Sequence, residues 1–238
     1  MGSKIESMRV VRRVLWLLPL LWAGFAWGLG PYVTEPAPAL AYSELPKYFS
    51  DVVDSHGIRL VSTNYNQRTN ICDLWWRKEI PVQPARTKAP DLVYGNLKSG
   101  TFLGLISIFT PQEDFRHHML KPGLYTMRYA QPEQNGDDHA ISPFRDFVIL
   151  SPAWVDKNPN AVLSGEQLTK WGMLVSHEDE PAVLSLVPVN PAYKKSPSVV
   201  ADGRGFVAVQ LNLKQKGKPA DLPFAILVVR PPYENEGS

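Results

Sequence analysis

The sequence predicts an all-β protein, an antiparallel β-sandwich carrying one short helix. Three observations lead there. Short apolar-rich runs recur at close spacing, and several alternate apolar with polar residues. Turn residues separate them, and the 22 prolines outnumber the 16 glycines, a balance that favours turns and sheet edges over long helices. The runs are not interleaved with regular helical stretches, so hairpins fit better than βαβ units.

Taken in order, the expected strands are Ile58–Thr63, Leu74–Ile80, Phe102–Phe109 and Leu124–Ala130. Phe144–Leu150, Val183–Val189, Phe206–Leu213 and Phe224–Val229 follow. In Phe206–Leu213 the set Val207, Val209, Leu211 and Leu213 is wholly apolar and should face the core. Phe224–Val229 is continuously apolar, as in a strand covered on both faces or one whose outer face meets a partner. Lys121-Pro122-Gly123 and Asn135-Gly136 are turn signals, and Lys214–Asp221 reads as the polar loop of the last hairpin. Ser164 with Gln167 three residues on is a helix start, and Leu168, Trp171 and Leu174 or Val175 then share one face. Gly172 weakens that helix in isolation.

Residues 1–41 read as a leader. Lys4, Arg9, Arg12 and Arg13 precede the uncharged run 14–30, and Ala39-Leu40-Ala41 is an A-x-A cleavage pattern. The segment is either a cleaved signal or a retained membrane anchor through residues 14–30, although 17 residues fall short of the roughly 20 of a full span. The expected location is outside the cytoplasm, periplasmic or tethered to the inner membrane and facing the periplasm. Residues 42–238 then form a single β-sandwich domain, since no composition shift divides them.

The leader also owns the basic charge. It holds four of the 25 basic residues and two of the 23 acidic ones, leaving 21 of each, a balance that gives no electrostatic footprint for nucleic acid. Cys72 stands alone, which excludes an internal disulfide framework and a multi-cysteine zinc module. Beside Ile71 and Leu74 it reads as a small buried hydrophobe.

No nucleophile elbow, S-x-x-K, dinucleotide or phosphate-loop motif occurs, and no H-E-x-x-H. No cofactor is expected beyond a divalent metal in one reading. The donors for that metal are His139 and Asp138, with Asp137 beside them, pooled with His117 or His118 across a sheet. Adjacent histidines on a strand face opposite ways, so His117 and His118 cannot both serve one ion. His56 and His177, each near carboxylates, read as solvated loop residues. Trp75 and Trp76, followed by Arg77, form a candidate binding patch. At most one of two adjacent indoles fills a core, and the other is half exposed or covered by something else.

The stretch 120–153, LKPGLYTMRYAQPEQNGDDHAISPFRDFVILSPA, resembles a family of uncharacterised exported bacterial proteins found in acidobacteria and related groups. The shared pattern is L-K-P-G-x-Y-T-x-R-Y, a short acidic Gly/His loop, R-D-F and a run ending in Pro-Ala. The block 177–187 and residues 92–109 extend the likeness. L-x-P-G-x-Y-T is also similar to a strand of transthyretin-like and carboxypeptidase-regulatory-like sandwiches. The resemblance implies an exported sandwich of immunoglobulin or transthyretin type, and it brings no catalytic residues.

The expected function is that of an exported, non-enzymatic binding or accessory protein of the cell envelope, engaging a protein partner in or at the membrane. Two alternatives remain open at this point. One is metal binding or metal-dependent catalysis through His139, Asp138 and His117. The other is carbohydrate binding through Trp75 or Trp76, which needs one exposed ring.

Overall fold

The computed structural model describes residues 32–40, 47–64, 67–84, 92–131, 144–201 and 205–230. The run 14–30, Asp137, Asp138 and His139 lie outside the described residues. Among the described residues no helix is long and apolar enough to cross a membrane.

The chain is mostly antiparallel β, with one curled sheet dominating. Its seven strands are β1 (Tyr32–Ala37), β2 (Gly57–Ser62), β3 (Thr69–Trp76), β4 (Phe102–Ile108), β7 (Gly123–Ala130), β8 (Phe147–Pro152) and β9 (Val183–Ser185), adjacent in that order. A small hairpin, β5 (Gln112–Glu113) with β6 (Met119–Leu120), stands between β4 and β7 in the chain. Three further strands, β10 (Ser198–Ala201), β11 (Val207–Leu213) and β12 (Leu222–Val229), form a second antiparallel sheet.

The two sheets meet at both ends. A bridge between Leu186 and Ile226 joins the β9 end to β12, and Val187 N–H donates to Ala225 O at 3.1 Å. At the other end β10 lies against β1. One hydrophobic core draws on both sheets, with Leu60, Leu74, Ile106 and Met127 from the large one and Val209, Leu211 and Ile226 from the small one. Trp76 and Phe224 meet edge to face across it at 5.3 Å, and Tyr94 lies 5.0 Å from Phe224. The Tyr94 hydroxyl ties the sheets by donating to Val187 O and accepting from Ala225 N–H, both at 2.9 Å.

The expected core face of β11 is observed, for Val207, Val209, Leu211 and Leu213 all join the shared core. Cys72 is buried there too, and burial pushes its thiol well above the usual range. β12 is covered rather than open, since Phe224, Ile226 and Val228 face the core, Ala225 is buried and Leu227 is half-buried. The exposed apolar surface considered for that run is therefore not on β12.

β8 is apolar on both faces for a visible reason. Val148 and Leu150 face the shared core, while Phe147 and Ile149 join Ala130, Leu168 and Val183 under α2 (Gly165–Ser176). The Ser164 hydroxyl caps α2 by accepting from Gln167 N–H at 3.2 Å. Leu168 and Val175 are buried as expected, whereas Leu174 is exposed. The helix lies along the face of β8.

Several boundaries differ from expectation. Tyr32–Ala37, assigned from the sequence to the leader, forms strand β1, with every residue paired to β2. β3 starts at Thr69 rather than Leu74, because a buried carboxylate interrupts the apolar signal. Asp73 is neutralised across the register by Arg59, at 2.7 Å to each oxygen. β8 begins at Phe147, leaving Asp146 just outside it. β9 ends at Ser185 because Leu186 turns to pair with β12.

Candidate functional site

Arg128 on β7 sits at a polar position in the strand alternation, and a long connection covers it completely. Its Nε donates to Asp156 Oδ2 at 2.6 Å and its Nη2 to Asp156 Oδ1 at 2.7 Å. Nη2 also donates to Asn158 O at 2.7 Å, while Nη1 donates to Gly100 O at 2.8 Å and Ala161 O at 2.7 Å. A guanidinium has five N–H groups, and all five are used. Both charges are desolvated, so the pair is tolerable only because every donor finds an acceptor. Phe102 stacks beneath the guanidinium at 5.6 Å.

The effect is to nail the connection 153–163 to the sheet. The Asn158 side chain tightens it by accepting from Asn160 N–H at 3.1 Å and Ala161 N–H at 3.2 Å. Trp154 stands on this fixed loop with 69% of its surface exposed. Val162, at 48%, is the second exposed apolar residue of the same loop. A large indole held in water on a rigid support has the form of a binding hot spot, since little conformational freedom remains to be lost on docking.

Arg77 reaches the same loop from the side. It continues β3, bridges to Val53, and donates to Pro159 O at 2.6 Å and to Asn160 Oδ1 at 2.8 Å. Both acceptors are neutral. Burial first, and then the neighbouring charge of Arg128, hold its pKa below the usual guanidinium value. Arg77 also lines an open polar cleft of about 640 Å³, bounded by residues 50–56 and by the hairpin residues Lys214 and Lys216. Lys78 in the cleft donates to the carbonyls of Ser50 and Asp51 at 3.3 and 3.0 Å. Asp54 there accepts from His56 N–H at 2.9 Å, the main cause of its lowered pKa.

The two tryptophans diverge, as adjacent strand residues must, and both are 5% exposed. Trp76 fills the shared core. Trp75 packs on the opposite face with Phe49, Val53, Phe102 and Leu105, and its Nε1 donates to Pro38 O at 3.2 Å. The cover is α1 (Lys47–Ser50) with Ala37 and Leu40 from the N-terminal strand region. Neither ring is open to a sugar, so of the expected patch only Arg77 reaches a cleft.

His117 and His118 occupy the turn of the β5–β6 hairpin. His117, in the left-handed region at φ 69°, places Nδ1 3.1 Å from Glu113 Oε2. His118 turns inward, with Nδ1 3.0 Å from the buried Asp114 Oδ2. Asp114 also accepts from the N–H groups of Arg116, His118 and Val183 at 2.8 to 3.2 Å, which ties the hairpin to β9. Arg116 pairs with Glu180, which lies 4.0 Å from His118 Nε2. The two histidines thus serve different carboxylates. No group of three or more metal donors occurs among the described residues, and the proposed ligands His139 and Asp138 lie outside them. His177 caps the C-terminus of α2 in the left-handed region, donating its N–H to Met173 O.

No family model, curated protein or solved structure matches the chain.

Trp154, Asp156 and Arg128 carry no signal in the sequence that marks them as a site. Trp154 follows Pro152-Ala153 in a turn with no periodic signal around it. The Arg128–Asp156 pair spans a connection and carries no spacing rule. The one available hint was the single charged residue of an alternating strand.

Proposed function

We propose that this chain is an exported, non-enzymatic β-sandwich protein of the cell envelope that binds a protein partner as an accessory subunit. The observation that carries the reading is Trp154, exposed on a loop held by four of the five donors of Arg128 and by two more from Arg77. The buried ionisable groups support it as well. Arg128, Asp156, Asp73, Asp146 and Asp114 are all engaged in bonds that fasten loops and strands. The sandwich reading draws support from the single core shared by the two sheets. The exported location rests on the basic and apolar pattern of residues 1–41.

The test is fractionation of the producing cells followed by native crosslinking. The protein should separate with the envelope and crosslink to a stoichiometric partner, and Trp154→Ala should abolish the crosslink while leaving the fold intact. A cytoplasmic protein, or a crosslink unchanged by Trp154→Ala, contradicts the reading.

A further inference from the structure

The cleft beside Arg77 has a charge balance with a direct chemical consequence. Its walls carry four cations, Arg77, Lys78, Lys214 and Lys216, against three carboxylates, Asp51, Asp54 and Glu79, with His56 at the rim. The committed groups are unevenly divided. Asp54 is held by His56, and Lys78 by two backbone carbonyls. Arg77 spends two donors on neutral acceptors, which leaves three N–H groups and an uncancelled charge. Arg128 behind it has Asp156 as its own counter-ion and offers Arg77 only repulsion. Lys214 and Lys216 bracket Gln215, which bridges to Ile80, so both project to the same side of that short ribbon, toward the cleft.

We propose that this cleft is a binding site for a carboxylate-bearing ligand, held on the free edge of the Arg77 guanidinium and flanked by Lys214 and Lys216. A guanidinium fork matches a carboxylate in a two-point geometry, and partial burial strengthens the pair relative to bulk water. A singly charged group balances the single surplus positive charge. A doubly charged phosphate overshoots it and meets repulsion from Asp51 and Glu79. The site is separate from the Trp154 surface, although Asn160 connects the two through the same loop.

The test is an NMR titration of the whole protein with sodium acetate at constant ionic strength, with inorganic phosphate as the comparison. Acetate should give a saturable shift at the Arg77 Nε–H and the Asn160 side-chain amide. Arg77→Met should weaken binding about tenfold, the scale of a lost charged hydrogen bond. Arg77 also braces residues 159–160, so a second variant separates binding from folding. Lys214 and Lys216 are exposed, and Lys214→Met with Lys216→Met should weaken binding severalfold and reduce its salt dependence. Lys218→Met, on an exposed residue outside the cleft lining, should leave it unchanged. No saturable shift with acetate, tighter binding of phosphate than of acetate, or wild-type affinity in both cleft variants would overturn the proposal.

Discussion

Arg128 and Asp156 form a two-point ion pair at 2.6 and 2.7 Å, with both residues wholly shielded from solvent. They are 28 positions apart, and between them they decide where the loop bearing Trp154 sits. Removing one partner of such a pair leaves a buried charge without compensation. Arg128→Met should therefore cost about 3–5 kcal/mol in a urea unfolding measurement. Pairing Arg128→Met with Asp156→Leu should recover part of that loss. A single-variant cost under about 1 kcal/mol would mean that the loop is held by other contacts.

Gly172 gives a test in which two rules oppose each other. Alanine is the better helix former by about 1 kcal/mol, so in an exposed helix Gly172→Ala would stabilise. Here a Cβ would lie 2.5 Å from Pro181 Cβ and 2.8 Å from Ile149 Cγ2. Overpacking of that kind costs about 1–3 kcal/mol, so net destabilisation is expected in thermal unfolding. A stabilised variant would show that α2 does not press on β8 at this point.

Asp146 supplies a pH dependence of known sign. Its carboxylate accepts from Val93 N–H at 2.7 Å and from the Tyr129 hydroxyl at 2.5 Å, and burial outweighs these bonds to raise its pKa. The folded state then binds the proton more tightly than the unfolded chain. This group's contribution to stability is greatest below its unfolded pKa of about 4 and declines as pH rises through the higher folded value. Asp146→Asn removes that dependence and sets an amide N–H₂ against a backbone donor, at a cost of about 1–3 kcal/mol. Denaturant titrations at several pH values should find the wild-type advantage over the variant shrinking from pH 4 upward. An advantage that grows with pH would reverse the assignment.

The N-terminal strand makes a prediction about processing. β1 pairs with β2 along its whole length, and Pro38 O accepts the Trp75 indole N–H. A cut after Ala41 would strip an edge strand from the sheet and uncover Trp75. Where a leader is removed, the cut should fall before Tyr32, and mass spectrometry of the mature N-terminus reads this directly. A mature chain beginning at Tyr42 that unfolds as cooperatively as the longer form would refute the structural role of β1.

The alternating strands were legible because a two-residue period is local. β4, β7 and β11 fall close to their expected limits, and the Ser164 cap announces α2. What escaped was non-local. Asp73 hides β3 because its neutraliser, Arg59, lies on another strand. β1 is hidden by its apolar surroundings in the leader pattern, and β10 is too short to show a period beside Pro197. In the same way, the pairing of Trp75 and Trp76 correctly implied opposite faces. It could not reveal that α1 and residues 37–40 cover the second indole. The candidate site was legible only through Arg77, since Trp154 gains its meaning from a staple that begins at Arg128.

The most direct test of the partner-binding account is site-specific photocrosslinking in producing cells. A photoreactive residue at position 154 should yield one discrete adduct, and the same residue at exposed Lys218 should yield none. Adding Arg128→Met should weaken the adduct, because the loop is no longer held in place. No adduct at 154, or equal adducts at 154 and 218, would contradict the claim that Trp154 is the docking point.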